Sequence, residues 1–80
     1  MRYMIVYYYQ KPNGKWDEVT DFKNRINNTA ASTAKVILDL KDKKVVKNGL
    51  NPDAGFDDML EFYKRLLGDQ LTPFLDQSSP

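Results

Sequence analysis

The chain has 80 residues, of which 41% are hydrophobic and 12% aromatic, and its 12 basic and 11 acidic side chains give a net charge of +1. A chain of this length forms a single domain. It contains no cysteine and no histidine, which excludes disulfides, thiol nucleophiles, histidine-based catalytic triads and ordinary zinc sites. The many aromatic side chains predict a folded domain rather than a disordered one.

The first predicted element is a β-strand over residues 2–10, RYMIVYYYQ, which is rich in β-branched and aromatic residues. The Pro-Asn-Gly sequence at residues 12–14 suits a hairpin turn, because asparagine and glycine tolerate the positive φ angles that close it. Residues 16–26 are then predicted to fold back as a second strand. The expected cross-strand partners are Gln10 with Trp16 and Tyr7 with Val19.

Residues 16–26 also allow a helix, since apolar side chains recur there at helical spacing. Val19, Phe22 and Ile26 occupy positions i, i+3 and i+7, with acidic residues early in the segment and basic residues late. We favour the strand, because the turn before this segment is too short for most other arrangements.

The middle of the chain is expected to hold a loop and a second hairpin. Residues 27–34, NNTAASTA, are small and polar and are interpreted as a loop. Residues 35–40, KVILDL, form a predicted strand, and residues 45–48 return beside it after a turn at residues 42–43. The expected cross-strand partners in this hairpin are Leu40 and Val45.

One helix is predicted over residues 52–67. Asn51 is a favourable N-cap, and the proline after it fits the first turn, where its missing N–H costs nothing. Gly68 is well placed to end the helix. The apolar residues at helical spacing are Phe56, Met59, Leu60, Tyr63, Leu66 and Leu67. Three later apolar residues are expected to fold back and close the core: Leu71, Phe74 and Leu75.

These elements predict an α+β fold. A single small domain over residues 1–75 would hold a three- or four-stranded antiparallel sheet with one C-terminal helix packed on one face, and residues 76–80 would form a flexible tail. The chain shows no signal peptide, and its longest apolar run is far shorter than the roughly 20 residues that cross a bilayer. We therefore expect a cytoplasmic protein without membrane contact.

The first strand is apolar on both faces, so the sheet needs cover on two sides. Met4, Val6 and Tyr8 point one way, and the alternate residues point the other way. One helix covers one face, and the second face needs a short second helix, a partner chain or a ligand, unless its tyrosines tolerate half exposure. We expect a homodimer. Its interface residues would be Tyr3, Ile5, Tyr7, Tyr9 and Val19.

The charge distribution suggests an alternative, a small nucleic-acid-binding protein. Residues 1–50 carry ten basic and five acidic side chains, whereas residues 51–80 carry two and six. Lysines beside tyrosines on a sheet suit the phosphates and bases of single-stranded nucleic acid. However, the motif of RNA-recognition domains is absent, and hairpin lysines also protect sheet edges, so nucleic acid is the less favoured partner. The candidate contacts are Lys41, Lys43, Lys44 and Lys47.

No motif predicts catalysis, a cofactor or a metal site. The acidic residues at positions 53–61 are typical of a first helical turn, and they fail the EF-hand spacing because Gly55 and Phe62 stand where ligands belong. The glycines fit neither a phosphate loop nor a dinucleotide-binding motif. We therefore expect a protein that is not an enzyme and has no cofactor, namely an interaction module that self-associates through its aromatic sheet face.

A resemblance covers residues 2–47. The segments RYMIVYYYQKPNGKWDE (residues 2–18) and KVILDLKDKKVVK (residues 35–47) are similar to small uncharacterised proteins of marine cyanobacterial viruses. Those proteins have no known activity, so the resemblance implies no site residue. It implies only that the partner is a host or viral macromolecule.

Overall fold

The computed structural model describes residues 2–76, with side chains described for residues 2–75. The four strands form one antiparallel sheet in the order β2-β1-β3-β4, which confirms the predicted α+β class. A 3-10 helix over Gly68–Gln70 lies between the last two helices. The elements are β1 (Tyr3–Gln10), β2 (Trp16–Lys23), α1 (Asn28–Thr33), β3 (Val36–Asp39), β4 (Lys44–Asn48), α2 (Phe56–Leu67) and α3 (Thr72–Asp76).

Residue 1 and residues 77–80 lie outside the described part of the chain. The tail expected over residues 76–80 lies outside the described residues, apart from the backbone of Asp76, where α3 ends. Within residues 2–76, no helix has both the length and the apolar character that crossing a membrane requires.

The first hairpin has the predicted register. Gln10 lies opposite Trp16, and Tyr7 lies opposite Val19. Gly14 adopts a φ of 86° in the turn, which suits glycine because it has no Cβ to clash. Residues 16–23 are a strand, so the helical alternative for this segment is wrong.

Residues 28–33 form the helix α1, where the sequence predicted a loop. Asn27 caps its N-terminus, because the Asn27 Oδ1 accepts a hydrogen bond from the Ala30 N–H at 2.7 Å. At the other end, the Lys47 ammonium donates a hydrogen bond to the Ala31 carbonyl oxygen at 3.0 Å. Side chains therefore satisfy backbone groups at both ends of this six-residue helix.

The helix α1 lies on the face of β1 that was expected to need a partner. Strands β2 and β3 run parallel to each other on either side of β1, and α1 belongs to the crossover between them. Ala30 and Ala34 are buried in one cluster with Ile5 and Ile37. The chain thus supplies the short second helix that was one of the three expected forms of cover.

A second buried cluster lies on the opposite face of the sheet, on the side of α2. Phe74 stacks on Phe22 of β2 with ring centroids 3.7 Å apart, so the segment after Gly68 folds back on the sheet as predicted. The buried members of this cluster are Met4, Val6, Val36, Leu38, Leu40, Met59, Tyr63 and Leu71.

The predicted register of the second hairpin is wrong. Leu38, rather than Leu40, lies opposite Val45, and a bulge interrupts the pairing just before it. The Asp39 carboxylate accepts hydrogen bonds from two N–H groups of the following turn, at 3.0 and 3.1 Å. These bonds place the turn at residues 40–43, so β3 ends earlier than its apolar pattern indicates.

The predicted start of the long helix is also wrong. The helix α2 begins at Phe56, with Gly55 as its N-cap. Asn51 belongs to a preceding turn instead, because its N–H donates a hydrogen bond to Asn48 Oδ1 at 2.8 Å. The predicted end is confirmed, since Gly68 follows the last turn with a φ of 55°.

Candidate binding surface

The face that was predicted to form a dimer is partly covered by α1. Ile5 is fully buried there and is a core residue of the folded chain rather than an exposed interface residue. Tyr3 and Tyr7 are half-buried against the same cluster. Tyr9 and Val19 remain 46% and 41% exposed. This face therefore leaves less apolar surface open than the strand pattern alone indicates.

The candidate nucleic-acid contacts surround the turn between β3 and β4. Lys41, Lys43 and Lys44 are exposed, whereas Lys47 is half-buried and its ammonium is bonded to α1. Strand β3 ends opposite Tyr3, so the later tyrosines of β1 lie toward the other end of the sheet. The structure does not bring the lysines and most of the tyrosines together into one platform.

Four of the seven exposed large apolar side chains among the described residues lie on the α2 side of the molecule, and the other three are Tyr9, Val19 and Val46. Trp16 is 66% exposed, Leu50 44%, Phe62 47% and Leu66 54%. Trp16 points to this side because it lies opposite Gln10, which shares a face with the buried Met4 and Val6 by strand alternation. We call Trp16, Leu50, Phe62 and Leu66 the apolar surface.

Three depressions lie beside these four residues. The second depression, of about 440 Å³, lies between Leu50 and Phe62, and the third, of about 260 Å³, lies between Glu18 and Leu66. Leu50 borders both the first and the second depression, and Glu18 lies directly opposite Tyr8 in the sheet. The first and second depressions therefore adjoin at Leu50, whereas the third shares no lining residue with them. The first, of about 370 Å³, is lined by Tyr8, Trp16, Thr33, Lys35 and Leu50.

Polar groups without good partners lie within this side of the core. Tyr63 is fully buried, and neither its hydroxyl nor Glu18 Oε1 makes a hydrogen bond of good geometry among the described residues. Burial raises the pKa of the Tyr63 phenol, and the neighbouring Tyr8 and Glu18 raise that pKa further. A buried group without a partner costs about 1–3 kcal/mol. This part of the core is therefore not optimised for stability.

The sequence contained one signal for this surface, and it concerned α2. Phe62 is a large aromatic residue outside the predicted apolar face of the helix, and the structure leaves it half exposed. Leu66 was assigned to the apolar face by its spacing but is 54% exposed. The other two members, Trp16 and Leu50, come together only through the fold, since one begins β2 and the other follows β4.

The arrangement provides exposed apolar side chains and cavities rather than a cluster of reactive groups. Among the described residues, no group of three or more acidic side chains is placed to hold a metal ion. Comparison with protein-family models, with curated proteins and with solved structures found no match to this chain.

Proposed function

We propose that the chain is a non-enzymatic interaction module that binds another protein through the apolar surface. The observation that carries the proposal is the exposure of four large apolar side chains along one side of a domain that already has a buried cluster on each face of its sheet. Single exposed apolar residues are ordinary, but connected ones are typical of interaction sites. Tryptophan and phenylalanine are also enriched at such sites.

The lining of the depressions favours binding over catalysis. In the part of the chain that the structure describes, Lys35 is the charged residue of the first depression and Asp58 that of the second. The first depression holds a hydroxyl and an amine, Thr33 and Lys35, but the Thr33 hydroxyl donates its hydrogen bond to the Thr29 carbonyl oxygen at 2.7 Å rather than to Lys35, so it is not paired with a base as nucleophilic catalysis requires.

The homodimer and the nucleic-acid complex expected from the sequence stay predictions. Of the five expected dimer residues, only Tyr9 and Val19 are exposed, whereas all four residues of the apolar surface are exposed. The expected lysine contacts lie away from the exposed Trp16. These placements support a protein partner on the α2 side.

The test is a selection in which a library of random short peptides is displayed and those that bind the full chain are isolated. We expect the selected peptides to lose at least about tenfold in affinity when Trp16 and Phe62 are both replaced by serine, because aromatic anchors dominate binding energy. Isothermal titration calorimetry measures this loss. Trp16 is the chain's one tryptophan, so its fluorescence emission should also shift to shorter wavelength when wild type binds a peptide.

The control replaces Val19 by serine, since this residue is exposed on the opposite face of the same hairpin and lies on β2. We expect this control to bind the peptides with unchanged affinity. If the control loses binding and the Trp16 and Phe62 variant keeps it, the interface lies on the α1 face and the proposed surface is wrong. A selection that enriches no peptide contradicts the interaction function itself.

A further inference from the structure

The second half of β1 has a strand on one side only. β1 has eight residues, whereas β3 has four and pairs with residues 3–6 of β1. Residues 7–10 of β1 pair with β2 alone. The chain before β3 forms α1 instead of continuing the strand, so the position beside residues 7–10 is not filled by β3.

Hydrogen bonds identify the peptide groups that face this open edge. The Lys11 N–H donates across the turn toward β2, at 2.7 Å, so the odd-numbered residues of β1 face β2. The Arg2 and Val6 carbonyl oxygens each accept a hydrogen bond from the β3 side at 2.7 Å, so the even-numbered residues face β3. By alternation, Tyr8 and Gln10 direct their N–H and C=O groups to the open edge.

The open edge of β1 lacks the charged side chains that protect the outer edges of this sheet. The outer strand β2 has the sequence WDEVTDFK, and the outer strand β4 has the sequence KVVKN. Residues 7–10 of β1 read YYYQ, which combines high strand propensity with no charge. Charged side chains discourage pairing at an edge, so the open edge of β1 is the better template for an added strand.

The first depression borders this edge, since Tyr8 belongs to both. A strand that continues the line of β3 would run antiparallel to β1. Its residue opposite Tyr8 would place its side chain on the same face as Tyr8, over the depression and beside Trp16 and Leu50. An extended segment can therefore form backbone hydrogen bonds and bury an apolar side chain at the same time.

Lys35 determines the charge preferred at one end of such a strand. It precedes β3, lines the first depression, is exposed, and has no ion pair among the described residues. The C-terminal end of a strand on the line of β3 would approach Lys35. An acidic side chain at that end would complement its charge.

We propose that the open edge of β1 binds an extended segment of another protein by β-strand addition. The segment carries apolar side chains at alternate positions, which lie over the first depression, and an acidic side chain at its C-terminal end near Lys35. Residues 7–10 span about 13 Å, which matches a segment of roughly four residues. This inference rests on the proposed function and specifies the conformation and charge of the partner.

Backbone N-methylation of the peptides selected by the wild-type chain tests the inference. We expect methylation at alternate positions to lower the affinity at least about tenfold. Each methyl group replaces a peptide N–H that would donate to the carbonyl oxygen of Tyr8 or Gln10, and it also keeps the two backbones apart. Methylation of the intervening amide should leave the affinity unchanged. The positions sensitive to methylation should also be those sensitive to alanine replacement, since in a strand both the N–H and the side chain alternate with the same period.

A charge reversal tests the predicted orientation. Lys35→Glu should weaken binding of peptides with an acidic C-terminal end by about tenfold at low salt, and Lys64→Glu, the same charge change on an exposed residue of α2, should not. The contrary result is a set of peptides that lose affinity when Trp16 and Phe62 are replaced but show no alternation in the effect of backbone N-methylation. That result would overturn strand addition and leave the proposed function standing. A selection that yields no binder would overturn both.

Discussion

Replacing Leu71 by alanine is expected to lower the free energy of unfolding by about 3 kcal/mol. Leu71 is fully buried in the cluster that contains Met59 and Tyr63. Its N–H donates a hydrogen bond to the Gly68 carbonyl oxygen at 3.1 Å, which holds the backbone in place and hinders collapse around the missing side chain. Urea denaturation measures the loss as a lower midpoint with an unchanged slope.

Leu66→Ala is the matched control for this variant. Leu66 lies on α2 and is 54% exposed, so its truncation should change the free energy of unfolding by no more than about 0.5 kcal/mol. Similar losses for both variants would place Leu66 in the core, as its helical spacing predicted, and remove it from the apolar surface. A negligible loss for Leu71→Ala would contradict the packing of the C-terminal segment.

Replacing Asp39 by alanine is expected to lower the free energy of unfolding by about 2–3 kcal/mol at neutral pH. The Asp39 side chain is 1% exposed, and Arg2 donates hydrogen bonds to it from Nε at 3.3 Å and from Nη2 at 3.0 Å. The same carboxylate binds two N–H groups of the β3–β4 turn. The substitution therefore removes an ion pair and the bonds that position the turn.

The contribution of Asp39 to stability should depend on pH. Burial acts to raise the pKa of Asp39, but the hydrogen bonds from Arg2 and from the turn lower it below its ordinary value. Because the pKa is lower in the folded state than in the unfolded state, the stabilisation is present above about pH 4 and is lost as the pH falls below that value. The difference in the free energy of unfolding between wild type and Asp39→Ala should then narrow as the pH falls below about 4.

The variant Asp39→Asn separates the contribution of the negative charge to stability from that of the hydrogen bonds. The amide oxygen still accepts a hydrogen bond from the turn, so the loss at neutral pH should be smaller than that of Asp39→Ala, and an amide does not titrate. Urea denaturation of the three proteins across the acid range provides the measurement. A wild-type advantage over both variants that stays constant with pH would contradict the role assigned to the ionised carboxylate.

The first hairpin and the end of α2 could be predicted from neighbouring residues, whereas the register of the second hairpin and the start of α2 could not, because hydrogen bonds to the side chains of Asp39 and Asn48 set the turns there. The Pro-Asn-Gly turn and the apolar run before it determined the first hairpin, including the pairing of Gln10 with Trp16. Helix α1 could not be predicted in the same way. The helix propensity of its six residues is weak. Contacts from distant parts of the chain support the helix instead, namely those of Lys47 in β4 and of the buried Ile5 in β1.

The candidate site was harder to predict than the fold. The two apolar faces of β1 were evident from alternation, and they correctly indicated that both sides of the sheet need cover. The positions at which α1 and α2 pack on the sheet decide which apolar side chains remain exposed to solvent. The open edge depends on β3 being half as long as β1, a boundary set by α1, which the sequence pattern did not indicate.

Amide hydrogen exchange of the free chain, followed by NMR at several concentrations, tests the central claim that residues 7–10 of β1 have an open edge. Tyr7 and Tyr9 face β2, so their amides should exchange slowly, whereas the amides of Tyr8 and Gln10 should exchange at least about tenfold faster. Protection of Tyr8 and Gln10 that rises with concentration would assign the edge to a second copy of the chain. Equal protection of all four amides at every concentration would show that the chain already covers this edge, and it would contradict the account.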